Sequence, residues 1–157
     1  DFLRPLRASG KMAREDEAAI FGNCEQLRIV AQTLLTAMKP PPGADLEAAA
    51  DVETRLARTA LAFQGIAPYL RCFADFCAGQ MAAQDRLLAL SGESSLIAAI
   101  LKQAEEKARE SAVSLLVRPM QRLCKYPLFL KGLLKELPAT HPSHDQVELA
   151  AEAVNAI

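Results

Sequence analysis

The sequence predicts an all-α protein, on three observations. Alanine, leucine, glutamate and arginine dominate the chain. No stretch shows sustained period-two alternation with β-branched residues. Apolar residues instead recur at steps of three and four, between clear helix stops. The chain has 157 residues, enough for one domain with a real core. It is 51% hydrophobic, which excludes a disordered chain. No repeat period is visible.

Residues 1–8 read as the last turns of a helix, stopped by Ser9-Gly10. Residues 13–20 suggest a short helix closed by Phe21-Gly22. Asn23 then caps a helix that runs to about Lys39, with Gln26 three residues on to complete a capping box. Leu27, Ala31, Leu34 and Met38 share one face of it. Pro40-Pro41-Pro42-Gly43 ends it, because proline cannot continue the hydrogen-bond ladder. Residues 45–64 read as the next helix, with a kink or break at Gly65 and Pro68. An aromatic-rich helix over roughly 67–90 carries Tyr69, Phe73 and Phe76, and Ser91-Gly92-Glu93-Ser94 reads as a turn. Residues 95–110 form an amphipathic helix, with Leu96, Ile100 and Leu101 inward and Gln103, Glu106, Lys107 and Glu110 outward. Pro138 to Ser143 is a loop. A last helix starts near Asp145 and keeps its pattern to Ile157. The chain opens and closes inside helical pattern, so it reads as an excerpt cut at both ends.

The stretch 118–137, RPMQRLCKYPLFLKGLLKEL, is the most informative. At about 100° per residue, Leu116, Met120, Leu123, Pro127, Leu130, Leu134 and Leu137 fall in one narrow sector, the seam of a buried helix. Pro127 lies inside that seam. A proline inside a helix costs about 3 kcal/mol, and burying neighbouring leucines at about 1.5–3 kcal/mol each can offset it, which predicts a kinked rather than a broken helix. The opposite face holds Arg118, Gln121, Arg122, Lys125, Leu128, Phe129 and Gly132, with no carboxylate. Apolar residues ringed by donors suit a protein-binding surface. The competing reading is that Leu128 and Phe129 pack on another helix of a thick bundle.

Charge narrows the partners. The net charge is −1, although residues 118–135 carry five cations and no anion. There is no global attraction to nucleic acid, and Leu128 with Phe129 is a poor stacking platform for bases. No apolar run is long enough to span a membrane. Cys24, Cys72, Cys77 and Cys124 show no C-x-x-C spacing and sit in apolar helical surroundings, so they read as reduced thiols of a cytoplasmic protein. His141 and His144 form H-P-S-H in a loop, and no Glu-x-x-His accompanies them. The bland reading, a polar turn after Pro138, is preferred to a metal site. No cofactor is called for.

The residues from Leu115 to Pro142, LLVRPMQRLCKYPLFLKGLLKELPATHP, resemble the third conserved region of Dbl-homology domains, the exchange factors of Rho-family small GTPases. Arg118-Pro119, Gln121-Arg122, Lys125-Tyr126-Pro127-Leu128 and Leu130 carry the match. Residues 2–27, including Ile20-Phe21-Gly22-Asn23, resemble the junction after that family's first helix, and 67–88 resemble its middle helices more loosely. The resemblance covers 1–157 and implies a partial Dbl-homology domain with an elongated multi-helix bundle. It implies a guanine-nucleotide exchange factor without covalent chemistry, which binds the GTPase switch regions, favours the nucleotide-free state and promotes GDP release. Gln121, Lys125 and Leu128 would touch the partner, with Lys125 the cation on switch II, and Arg118, Arg122 and Phe129 beside them. The alternative is a helical scaffold that binds a GTPase or other proteins without exchange. The family's switch I glutamate would lie upstream of Asp1, and its late asparagine just beyond Ile157; Asn155 comes too early. The fragment alone is therefore expected to exchange poorly. Gly132 replaces a common acidic residue. Membrane recruitment would fall to flanking domains, such as the pleckstrin-homology domain that often follows in the family.

Overall fold

The structure is a computed structural model that describes residues 3–45 and 51–157. These fold into helices: α1 (Leu3–Ala8), α2 (Arg14–Phe21), α3 (Cys24–Met38), α4 (Val52–Ile66), a 3₁₀ turn (Ala67–Leu70), α5 (Arg71–Ala78), α6 (Gln80–Glu93), α7 (Ser95–Ala108), α8 (Ala112–Glu136) and α9 (His144–Asn155). No strand occurs among the described residues. They divide into two compact units, residues up to Cys24 with Asp75–Gln121, and Glu25–Ala74 with Arg122–Ile157. Helices α5 and α8 each run through both.

In the first unit, α2 packs on α6, α6 on α7 and α1 on α7. The core is Leu6, Ile20, Leu87, Leu90, Ile97, Leu101 and Leu116. Two glycines make its tight corners possible. Gly10 and Gly22 have φ of 62° and 47°, a left-handed region that costs a side chain dearly. Gly22 donates its N–H to the Ala18 carbonyl and so closes α2. The acidic first turn of α2 complements the helix dipole and also reaches outward. The Asp16 carboxylate pairs with Arg86 Nε at 2.5 Å, and Arg86 Nη1 meets Glu93 at 2.9 Å. Glu17 pairs with Arg7. The hydrogen bond from Arg86 holds the Asp16 carboxyl below its ordinary value, and Arg7 does the same for Glu17.

In the second unit, α4 and α9 form the main packed pair. Phe63, Ile66, Val147, Ala150 and Val154 fill the space between them, with small alanines permitting close approach. Leu27, Val30 and Leu34 bury one face of α3. Asp51 caps α4 by accepting from the Thr54 N–H at 3.0 Å. Glu53 ties the loop before α9 to the same helix end. It accepts from Ser143 Oγ at 2.7 Å and lies 2.7 Å from His141 Nε2.

Several sequence expectations shift. The helix expected from 45 begins at Val52; residues 46–50 lie outside the described ones. The expected 67–90 helix is a 3₁₀ turn and two helices, because Pro68 tightens the first turn and Gly79 separates α5 from α6. Residues 91–93 stay helical, and only Ser94 breaks the chain, where its side chain caps α7. Leu96 is exposed and Ile97 takes its inward place, since that cap starts α7 one position out of phase with the expected face.

Candidate functional site

Helix α8 begins on two caps. The Ser111 hydroxyl accepts from the Ser114 N–H at 3.1 Å, and the Glu105 carboxylate accepts from the Ala112 N–H at 2.7 Å. From there the helix runs 25 residues through both Pro119 and Pro127 without interruption. Its seam is inward as expected. Leu116 and Leu130 are buried, and Leu123, Pro127, Leu134 and Leu137 are half-buried, while Met120 is exposed at the margin.

The opposite face is open to solvent. Gln121, Arg122, Lys125, Leu128 and Gly132 are all exposed. Leu128 is 67% exposed, so it does not pack on a further helix of the described fold. Phe129 divides its surface. It is 46% exposed, yet its ring leans on Phe63 of α4 with centroids 6.0 Å apart. The competing packing reading therefore holds for one side of Phe129 and fails for Leu128. Lys125 makes no ion pair among the described residues.

Arg118 and Arg122 are less free than the helix projection suggests. Arg118 donates from Nε to Glu110 at 3.1 Å, a carboxylate outside the helix that sequence spacing along α8 could not place. Arg122 donates from Nε to the Tyr126 hydroxyl at 2.7 Å, and its guanidinium carbon lies 5.6 Å from that ring's centre. Tyr126 is buried, edge-on to Phe63 at 5.3 Å. It thus anchors α8 to α4 while fixing Arg122 on the surface. This tyrosine was missed as a core residue, although its spacing of four from Arg122 is a visible pairing signal.

The two histidines part company. His141 uses both ring nitrogens, Nε2 toward Glu53 at 2.7 Å and Nδ1 to accept from the Ser143 N–H at 3.2 Å. No lone pair is left for a metal. His144 lies with Asp145 and Glu148, ligand atoms within 4.8 Å of one another, a mostly exposed grouping that surface helices commonly carry. No helix of the described residues is long and apolar enough to cross a membrane. Of the four cysteines, Cys72 is buried and Cys124 is exposed on α8.

The exposed face thus offers one unpaired ammonium, one amide, one oriented guanidinium and two large apolar side chains. That set is of the kind suited to an acceptor-rich, partly apolar protein surface.

Comparison with known proteins identifies the family and the fold. The family model described as "RhoGEF domain" matches residues 1–157. A RhoGEF domain-containing protein of Dictyostelium discoideum, gxcJ, is 27% identical over 159 residues, covering 99% of this chain and 12% of that protein. The mouse phosphatidylinositol 3,4,5-trisphosphate-dependent Rac exchanger 1 protein is 48% identical over 42 residues, covering 27% of this chain and 2% of that protein. Among solved structures, the activated truncation of Vav1 superposes with a TM-score of 0.83 at 24% identity, covering 98% of this chain and 37% of that one. The DH/PH domains of PDZ-RhoGEF, solved with activated RhoA, give 0.67 at 21% identity, covering 99% and 43%. These two likenesses establish the shared fold. The chain spans a small part of the curated proteins it matches. With the family model matched from its first residue to its last, the chain belongs to the RhoGEF domain family.

Proposed function

We propose that this domain binds the switch regions of a Rho-family small GTPase through the exposed face of α8 and promotes release of GDP. The observation that carries the reading is Lys125, an exposed cation without an ion partner among the described residues, three positions from a mostly exposed Leu128. Lys125 meets acidic or carbonyl groups of the switch II region, Gln121 hydrogen-bonds beside it, and Leu128 and Phe129 supply apolar area. Arg122, held by Tyr126, is presented in one orientation. Arg118 must exchange Glu110 for the partner or stay at the rim.

Exchange needs no covalent step. A protein that binds the nucleotide-free GTPase more tightly than the loaded form weakens nucleotide binding by the same factor. The physical act is to impose one switch-loop conformation that disfavours the GTPase's own Mg²⁺ and phosphate contacts. A helix anchored from beneath by Tyr126 and Leu130 suits that, because it does not yield to the loop. The reading places the protein in the cytoplasm, where such GTPases act.

The test is retention of a panel of Rho-family GTPases by the full chain, in EDTA and in Mg²⁺-GDP. Preference for at least one GTPase in its nucleotide-free form is expected. Equal retention in both conditions would leave a binding scaffold without exchange.

A further inference from the structure

A second surface lies in the same unit, on α3 and α4. An open groove of about 400 Å³ runs between them, floored by Val30, Leu34, Ala62 and Ile66. Three large apolar side chains stand on its walls while mostly in water: Ile29, Leu61 and Tyr69, at 60%, 60% and 63% exposure. Single exposed apolar residues need no explanation, but three converging on one concavity mark an interaction site. Gly65 lines the same groove, and a Cβ added there would meet nothing within 4 Å, so the space beside it is open.

Charge says what fits. Arg58 lies three and four positions before Leu61 and Ala62, and Arg55 lies one turn earlier. Both therefore continue the groove stripe of α4 toward its N-terminus. Neither makes an ion pair among the described residues. Asp51, one turn before Arg55 on the same stripe, is occupied in capping α4 through the Thr54 N–H, and Glu53 projects to the other side, held by Ser143 and His141. Across the groove, the matching face of α3 has Gln26 and Thr33 and no charge. The groove itself is lined without charge, and by helix periodicity Arg58 and Arg55 follow beyond its lining toward the N-terminal end of α4.

We infer that this groove docks an amphipathic helix of a partner protein, with apolar residues at i, i+3 or i+4, and i+7, and carboxylates in its flanking turn. A third helix is the natural occupant, because ridges of side chains seat in the furrow between two helices. The span from Arg55 to Tyr69 is about 21 Å at 1.5 Å per residue, room for about four helical turns. A concave floor argues against a flat lipid surface, which needs its apolar groups to protrude. The surface is separate from the α8 face and does not rest on the exchange reading.

The experiment uses the full chain and a fluorescein-labelled synthetic helix of about 15 residues, alanine-based, with a leucine stripe and glutamates flanking one end. A twin peptide carries lysine for each glutamate, and phosphatidylserine vesicles serve as the lipid arm. The acidic peptide should raise anisotropy on titration, more strongly at low salt, and the lysine twin should not. Leu61→Glu and Arg58→Glu should each weaken the acidic peptide at least about tenfold. Both substitute solvent-exposed or partly exposed positions, so helical content by circular dichroism should match the parent. The doubly reversed Arg55→Glu, Arg58→Glu chain should gain affinity for the lysine twin. Equal binding of both peptides, binding of neither, indifference to Leu61→Glu, or a preference for vesicles would each overturn the proposal.

Discussion

The two faces of α8 divide labour within a single turn of helix. On one side, Tyr126 and Leu130 are buried against α4 and the core of their unit. On the other, Lys125 and Leu128 stand in water. Neighbours in sequence therefore answer to different physics. The inner face is set by packing density, where loss of a few methylenes leaves a cavity. The outer face is set by what it leaves unsatisfied, a cation and apolar area that the fold itself does not use. Substitutions on the two faces should consequently move different observables.

The largest effect belongs to the inner face. Leu130→Ala is expected to cost about 2–5 kcal/mol of stability through its cavity. A thermal melt reads it as a lower midpoint. Binding of GTPase, measured well below that midpoint, should stay close to the parent's. If binding falls while the midpoint holds, the inner and outer assignments are reversed.

The outer face makes the complementary forecast. Lys125→Ala should shift stability by no more than about 0.5 kcal/mol, as exposed substitutions do. It should weaken GTPase binding by about 2–5 kcal/mol, because the partner's acceptor is left desolvated and unpaired. Titration against the best GTPase of the panel checks it. A merely solvated cation would change neither quantity.

Tyr126→Phe sharpens the comparison, since Tyr126 connects the faces. Its ring packs inward on Phe63 while its hydroxyl holds Arg122 outside. Removing the hydroxyl keeps the packing and loses one hydrogen bond, about 0.5–1.5 kcal/mol. The same change frees Arg122, so GTPase association should slow more than the melt predicts. Unchanged association would show that the orientation of Arg122 is immaterial.

The smallest effect lies in the other unit. Asp16 has its carboxyl lowered by Arg86, so the pair adds stability above the ordinary aspartate range and loses it as pH falls through the lowered value. Both residues are half-buried at the edge of the unit, where solvent still screens the pair, and the gain is modest. The midpoints of the parent and Asp16→Asn should differ slightly at neutral pH and converge as pH falls through the lowered value of the Asp16 carboxyl. A gap that widens in acid would contradict the pairing.

Much of this was legible in the sequence, for identifiable reasons. The helices announced themselves by steps of three and four and by proline, glycine and serine stops. Leu130 and Leu116 were readable as core because the α8 seam is long and regular, and Lys125, Gln121 and Leu128 as exposed because they oppose it. Periodicity does not report lateral neighbours. Tyr126 lies off the seam and is buried because Phe63 reaches it from α4. Arg118 was projected into solvent, but Glu110 lies before the helix and comes to it through the chain's turn. Leu96 was placed inward by a one-residue phase error that the Ser94 cap resolves. The α3–α4 groove was invisible for the same reason as Tyr126, since it depends on how two distant helices face each other.

In the function proposed above, the exposed face of α8 drives nucleotide release. Its most direct test is the release of a fluorescent GDP analogue from the preferred GTPase, followed with the full chain and with its Lys125→Ala variant at matched folded concentration. The parent should accelerate release above the intrinsic rate, modestly as expected of residues 1–157 alone, and Lys125→Ala should lose most of that gain while melting like the parent. Equal acceleration by both proteins would contradict the claim.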